Sequence, residues 1–184
     1  MDEEKFKYFI KKYGKEPLTR PWPKEIFEEL IHKDYSQEIS KVLLKLDISD
    51  SFFDMLLEVI INYDYNYENL IRDLVLKYLD NEQRLKSVFR VIFILRRGNL
   101  GDLIEKIFDR YYYDSYLKSK DKFHYKVKDT LFISQVIITL GEYGQVNCYD
   151  KLKEIEKTQK INEPILSQWA EFSLKKLEKL KNEN

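Results

Sequence analysis

Apolar residues recur along the chain at spacings of three and four, the period of a helix with one buried face. Phe6, Phe9, Ile10 and Tyr13 form the first such stripe, and Gly14 follows as a C′ stop. Pro17, Pro21 and Pro23 surround Trp22 and exclude a continuous helix from Lys15 to Pro23. Pro23 suits the first turn of the next helix, where Ile26, Phe27, Leu30 and Ile31 share a face. Ile39, Val42, Leu43 and Leu46 repeat the pattern. The stretch from Asp47 to Asp50 then offers N-cap oxygens to a helix bearing Phe52, Phe53, Leu56, Leu57 and Ile60.

A turn at Asn62 to Asn66 leads to a stripe of Leu70, Ile71, Leu74, Val75 and Tyr78, broken at Asp80-Asn81. Apolar residues cover most of the circumference from Leu85 to Leu95 and from Leu131 to Leu140, which predicts helices buried on several sides. Between them lie a turn at Gly98 to Asp102, a helix with Leu103, Ile104, Ile107, Phe108 and Tyr111, and a polar, lysine-rich loop from Ser115 to His124. After a turn at Gly141 to Gly144, Val146, Tyr149, Leu152 and Ile155 form another stripe. Pro164 takes the N1 position of a last helix with Ile165, Trp169, Phe172, Leu174 and Leu177, and the tail from Lys179 is expected to fray. This pattern predicts an all-α fold of about ten helices joined by short turns. It is expected to form one domain over residues 1–184, with an N-terminal helix and Pro-rich linker over 1–22 and the helical hairpins over 23–181.

Three segments align without gaps: Val88 to Leu95, Ile133 to Leu140 and Ala170 to Leu177. Each places small or apolar residues at one spacing and ends on leucine, the mark of a degenerate repeat. The run Leu140-Gly141-Glu142-Tyr143-Gly144 followed by Leu152 resembles the helix-turn-helix junction of the HEAT-like helical repeat family. Ala170, Ser173, Leu174 and Leu177 resemble that family's small-residue helix face. The resemblance covers Val88 to Leu180 and lacks the family's usual Asp and Arg ladder. It implies antiparallel helical hairpins stacked into an α-solenoid.

Composition narrows the class. At 184 residues, 43% hydrophobic and 35% charged, the chain has the make-up of a folded domain rather than of a disordered segment. Val88 to Leu95 is interrupted by Arg90 and is far too short to cross a bilayer, so no membrane partner is expected. Met1-Asp2-Glu3-Glu4 is acidic where a secretory leader carries positive charge, and a single cysteine fits a reducing compartment; both predict a cytoplasmic protein. Thirty-two basic residues balance 32 acidic ones, and the isoelectric point is about 6.8. That balance disfavours a nucleic-acid partner, whose affinity draws on a basic excess.

Candidate chemistry is sparse. His32 and His124 stand far apart and belong to no Cys/His cluster or H-E-x-x-H spacing, so neither metal nor cofactor is expected. Cys148 follows a predicted helix start but has no histidine base near it, which points to a packing role. The acidic runs Asp2-Glu3-Glu4 and Glu28-Glu29 read as solvated helix faces. Arg96-Arg97-Gly98-Asn99-Leu100-Gly101 joins two cations to a glycine-bearing turn, which fits an anion site. An inter-helix turn with Gly98 at C′ explains the same residues, and that reading is preferred because the phosphate-loop spacing is missing.

The tyrosines stand out: Tyr63, Tyr65 and Tyr67 lie in a predicted turn, and Tyr111, Tyr112, Tyr113 and Tyr116 lead into the lysine-rich loop. Neighbouring helical residues point in different directions, so some of each cluster should be exposed. Exposed tyrosines suit a protein-binding surface; an A/T-rich coding sequence would raise tyrosine too, and both origins stay open. The expected function is therefore a non-enzymatic protein-binding module with these tyrosines at its surface. The specific analogy is a bacterial immunity protein, which holds and neutralises a cognate toxin. A second class follows from the HEAT-like resemblance, since some members are DNA glycosylases with a basic concave face. Trp22, Trp169 and the stretch from Lys118 to Lys128 would serve that function.

Overall fold

The computed structural model describes residues 2–33, 35–62 and 67–183, with backbone alone for residues 2, 3 and 183. The described residues are overwhelmingly helical and contain no strand. No described helix is long and apolar enough to cross a membrane. The chain divides into two compact units, Met1–Leu95 and Arg96–Asn184.

The first unit holds α1 (Asp2–Tyr13), α2 (Lys24–His32), α3 (Ser36–Lys45), α4 (Asp50–Asn62), α5 (Glu68–Tyr78) and α6 (Glu82–Leu95). Local chemistry sets the boundaries much as the sequence predicts. The Gly14 amide donates to the Ile10 carbonyl at the end of α1, where a Cβ would lie 2.5 Å from that oxygen. The Pro23 carbonyl accepts the first bonds of α2, and the Ser49 hydroxyl caps α4 by accepting from the Phe52 amide at 3.2 Å. The core is mainly aliphatic and phenyl, with Phe6, Phe9, Ile26, Leu30, Phe52, Phe53, Leu56, Ile60, Leu74, Leu85 and Phe89 buried together with Tyr35 and Tyr78. Pairings fix the helix directions. Lys5 meets Glu29 and Lys12 meets Glu25, so α1 and α2 run antiparallel. The Tyr78 hydroxyl at the end of α5 donates to the Leu43 carbonyl near the end of α3. Arg84 at the start of α6 reaches Asp50 and the Ile48 carbonyl at the start of α4. Leu57 and Ile61 further along α4 border one small cavity with Arg90 and Val91 of α6, so α4 and α6 lie parallel, and α3 and α5 meet at their ends.

The second unit holds α7 (Gly101–Phe108), a π-helical turn (Asp109–Tyr113), α8 (Asp114–Lys118), α9 (Thr130–Glu142), a 3₁₀ turn (Val146–Cys148), α10 (Tyr149–Thr158) and α11 (Pro164–Glu183). Here, too, helices two apart run parallel. Thr130 bonds Glu163 at the starts of α9 and α11, and Ser173 reaches the Ile137 carbonyl further along. At Gly141 the two backbones come so close that a Cβ would lie 2.7 Å from the Cα, Cβ and Oγ of Ser173. The small residues flagged by the repeat pattern therefore mark a close helix–helix contact.

Three local expectations need correction. The predicted loop at Ser115 to His124 starts later, because α7 continues through the π turn and α8 to Lys118. The left-handed residue after α6 is Arg96, at φ 48°, with Gly98 left-handed two residues on. The tail from Lys179 remains helical to Glu183.

The balanced total charge also hides an asymmetry. Residues 96–184 carry 17 Lys and Arg against 14 Asp and Glu, whereas residues 1–95 carry 15 against 18.

One carboxylate makes the first unit acid-sensitive. The Lys33 ammonium first, then that of Lys5 and the Tyr35 hydroxyl, hold Glu29 down to about 2. Because the folded value lies below the ordinary one, this contribution is complete above about pH 4.5 and is lost as pH falls towards 2. Glu29→Gln should lower stability by about 1 kcal/mol at pH 7, with the pairs partly screened by solvent. The difference from wild type should vanish near pH 2; a gap that stays constant across an acid titration of urea unfolding would refute the assignment.

Candidate functional site

Among the described residues of the tyrosine clusters, three lie inside rather than at the surface. Tyr67 is 6% exposed, and Tyr112 and Tyr116 are fully buried, so the expected exposure fails for these three. Tyr111 and Tyr113 are half-buried, and Tyr63 and Tyr65 lie outside the described residues. The π turn supplies the reason for Tyr112 and Tyr116. Each four-residue step along an α-helix over-rotates by about 40°, so Ile104, Phe108, Tyr112 and Tyr116 would drift round a regular helix. The wider i→i+5 turn takes that rotation back and keeps the four on one face. Phe108 stacks on both Tyr112 and Tyr113, at 5.6 and 5.7 Å, and Tyr112 stacks on Tyr116 at 5.5 Å. Tyr125, from the irregular segment after α8, closes edge-on against both buried rings. Tyr67 is buried at the start of α5, where its carbonyl accepts from the Ile71 amide.

Polar groups ring this aromatic core. The Tyr116 hydroxyl pairs with Thr158 at 2.8 Å, and Glu154 accepts from Tyr113 at 3.0 Å and from Lys122 at 2.5 Å. Lys151 bridges Glu105 and Asp109. Burial raises the Tyr112 phenol far above its ordinary value and pushes Tyr113 up to about 12, where Glu154 adds to the effect. Burial likewise pushes the Cys148 thiol up to about 12, with Glu105 and Asp109 reinforcing it. Such a thiol is a poor nucleophile. His32 is exposed at the end of α2, and His124 is exposed with its Nδ1 2.6 Å from Asp121. Among the described residues no three His, Cys, Asp or Glu side chains converge on a metal position.

Two surface features of the second unit remain, at opposite ends of the parallel pair α9 and α11. At the N-terminal end, the Thr130–Glu163 bond draws the start of α9 beside the turn before α11. Leu131 on one side and Ile161 and Ile165 on the other are large and exposed, Ile161 at 88% and Leu131 at 70%. Phe123 is exposed on the neighbouring segment, which Gln159 anchors by donating to the Lys122 carbonyl. No motif announces this end, since isolated Leu and Ile residues at helix starts carry no signal of their own.

At the C-terminal end lies a cleft of about 700 Å³ lined by Arg96, Arg97, Glu142, Tyr143, Lys176 and Lys179, with Leu180 at its edge. It includes the two arginines that the sequence marks as a possible anion turn. Glu142, with a side chain 13% exposed, accepts from Arg96 at 2.9 Å and from Lys176 at 3.3 Å. The Tyr143 hydroxyl donates to the Arg97 carbonyl at 2.9 Å and ties the turn to the end of α9. Sequence could suggest Arg96 and Arg97; Lys176 and Lys179 join them only through the packing of α11 on α9.

In the first unit, Trp22 is half-buried, with the Arg20 guanidinium 5.1 Å from its ring and paired to Glu58. Trp169 is half-buried edge-on to Phe172. Comparison with known proteins finds no matching family model, no matching curated protein and no matching solved structure.

Proposed function

We propose that the chain is a non-enzymatic protein-binding module, built from stacked antiparallel helical hairpins of the HEAT-like kind, and that it acts as an immunity protein holding a cognate toxin. The observation that carries the binding role is the exposure of Leu131, Ile161 and Ile165 at the adjoining starts of α9 and α11, with Phe123 exposed on the segment that Gln159 anchors. Large aliphatic and aromatic side chains grouped at a surface favour a partner that takes them out of water. The parallel course of α4 with α6 and of α9 with α11 supports the hairpin architecture. Immunity function rests on analogy with small helical proteins lacking catalytic groups. With Tyr67, Tyr112 and Tyr116 buried, the apolar end replaces the tyrosine clusters as the leading contact surface, and half-buried Tyr111 and Tyr113 are left as secondary candidates together with Tyr63 and Tyr65, which lie outside the described residues.

A DNA-binding function of the glycosylase kind draws on the basic excess of residues 96–184. Trp22 and Trp169 serve it poorly, since both rings are already partly covered by neighbours.

Affinity capture with wild type and with a Leu131→Asp, Ile161→Asp variant tests the proposal. A specific protein partner should be retained by wild type and lost by about 30-fold or more in the variant, as expected for losing a hot spot worth about 2 kcal/mol. The melting temperature should hardly move, because both side chains are exposed. Retention that ignores the substitutions would overturn the surface, and protection of cells expressing the captured partner would test the immunity role.

A further inference from the structure

We infer that the apolar end of the second unit docks an acidic segment of a partner protein, whose carboxylates meet Lys120 and Lys126 while its apolar side chains cover Leu131, Ile161 and Ile165. The inference rests on the protein-binding reading above and adds the chemistry of the partner.

The irregular segment between α8 and α9 is laid along the turn between α10 and α11 by three side-chain bonds. Gln159 donates to the Lys122 carbonyl at 2.6 Å, and Asn162 donates to the Tyr125 carbonyl at 3.1 Å. Glu163 accepts from the Val127 amide at 3.4 Å. Ile161, the most exposed large apolar side chain among the described residues, sits in the middle of that turn. Tyr125 and Val127 are half-buried, and Lys126 between them is exposed. This lysine therefore stands on backbone fastened to Asn162 and Glu163, the two residues that follow Ile161.

Charge at this end is not balanced from within. Over residues 115–131 five lysines stand against two aspartates. The carboxylates at hand are already engaged. Asp121 gives one oxygen to the Phe123 and His124 amides and the other to the His124 ring. Glu154 accepts from Tyr113 on one oxygen and from Lys122 on the other. Glu163 divides its oxygens between the Val127 amide and the Thr130 hydroxyl, and Asp129 caps α9 by accepting from the Phe132 amide. Lys120 and Lys126 are exposed and pair with no carboxylate among the described residues. Two unmatched cations on anchored backbone beside an exposed aliphatic group favour a partner that brings negative charge and apolar side chains together.

A protein segment fits this surface better than the other polyanions. Single-stranded nucleic acid is held largely by stacking on aromatic rings, and of Leu131, Ile161, Ile165 and Phe123 only the last is a ring. An anionic bilayer would press its whole plane of charge on the exposed Asp121 as well, whereas a peptide can set its carboxylates on the lysines alone.

Fluorescence anisotropy with a labelled amphipathic peptide of glutamate and leucine tests the assignment, beside a second peptide in which lysine replaces each glutamate. The glutamate peptide should bind and weaken as salt rises, and the lysine peptide should bind at least about tenfold more weakly. Lys120→Glu with Lys126→Glu should weaken the glutamate peptide by at least about tenfold. Lys41→Glu with Lys106→Glu, an equal charge change at exposed lysines of α3 and α7, should alter it less than about twofold. Leu131→Ser with Ile161→Ser removes apolar contact without adding charge and should also weaken it. Melting temperatures should hold throughout, since all six side chains are exposed. Absence of binding, equal binding of the two peptides, or equal loss in the two reversed pairs would overturn the proposal. Tighter binding of phosphatidylserine vesicles or of a labelled single-stranded oligonucleotide, dependent on Lys120 and Lys126, would reassign the surface to lipid or nucleic acid. If a partner captured through Leu131 and Ile161 is retained undiminished by the Lys120→Glu, Lys126→Glu protein, the acidic chemistry falls and the protein-binding reading stands.

Discussion

Truncation of Tyr112 to alanine should remove about 3–5 kcal/mol of unfolding free energy, the largest effect expected of any single tyrosine change here. Tyr112 is fully buried, stacks on Phe108 and Tyr116, and meets Tyr125 edge-on, so its removal opens a ring-sized cavity in the core of the second unit. Against a typical total of about 5–15 kcal/mol, such a loss would leave the unit marginal. Phenylalanine at the two buried positions separates packing from hydrogen bonding. The Tyr112 hydroxyl is buried without a hydrogen-bond partner, so Tyr112→Phe should be neutral or stabilising. The Tyr116 hydroxyl bonds Thr158 at 2.8 Å, so Tyr116→Phe should cost about 1 kcal/mol. Urea unfolding followed by circular dichroism measures all three. A Tyr112→Ala protein as stable as wild type would place this ring at the surface and reverse the conclusion drawn from the π turn.

The second large effect is expected at Gly141. Gly141→Ala should destabilise by about 2–3 kcal/mol, although alanine is ordinarily the better helix former by about 1 kcal/mol. The new Cβ would lie 2.7 Å from the Cα of Ser173 as well as from its Cβ and Oγ, and backbone cannot swing aside as a side-chain end can. Separating α9 from α11 would also stretch the Ser173 bond to the Ile137 carbonyl. Adding Ser173→Gly removes two of the three clashing atoms but leaves the Cα, so the double variant should recover only part of the loss. Gly101 offers a contrast in the same unit. A Cβ there would meet the end of the Gln145 side chain, which can turn away, so Gly101→Ala should be better tolerated. Equal stability of Gly141→Ala and wild type would show that α9 and α11 do not approach as closely as described.

The helices themselves were legible in the sequence because helical burial leaves a local, periodic trace. The stripes from Phe6 to Tyr13, Phe52 to Ile60 and Leu131 to Leu140 all lie in helices with those residues mostly buried. The Gly14 stop, the Ser49 cap and Pro164 at the head of α11 were legible for the same reason, since each acts on backbone groups within a few residues. The repeat pattern pointed to Ser173 as part of a small-residue face, and Gly141 lies against it.

What only tertiary structure decided depends on rotation and on distance along the chain. A single π turn, invisible to a 3.6-residue period, keeps Tyr112 and Tyr116 inside while Tyr111 and Tyr113 stay half-buried. The cleft cations come from residues 96–97 and 176–179, and the apolar end from residues near 131 and 161–165. Neither grouping leaves a trace in local spacing, because each exists only where α11 lies parallel to α9. Charge behaves likewise: the sequence sums to zero, and only the division of the fold into units reveals that residues 96–184 carry the positive share. Local sequence can specify which residues form a helix, since that choice is made within a turn or two; which faces meet is decided by contacts between distant segments.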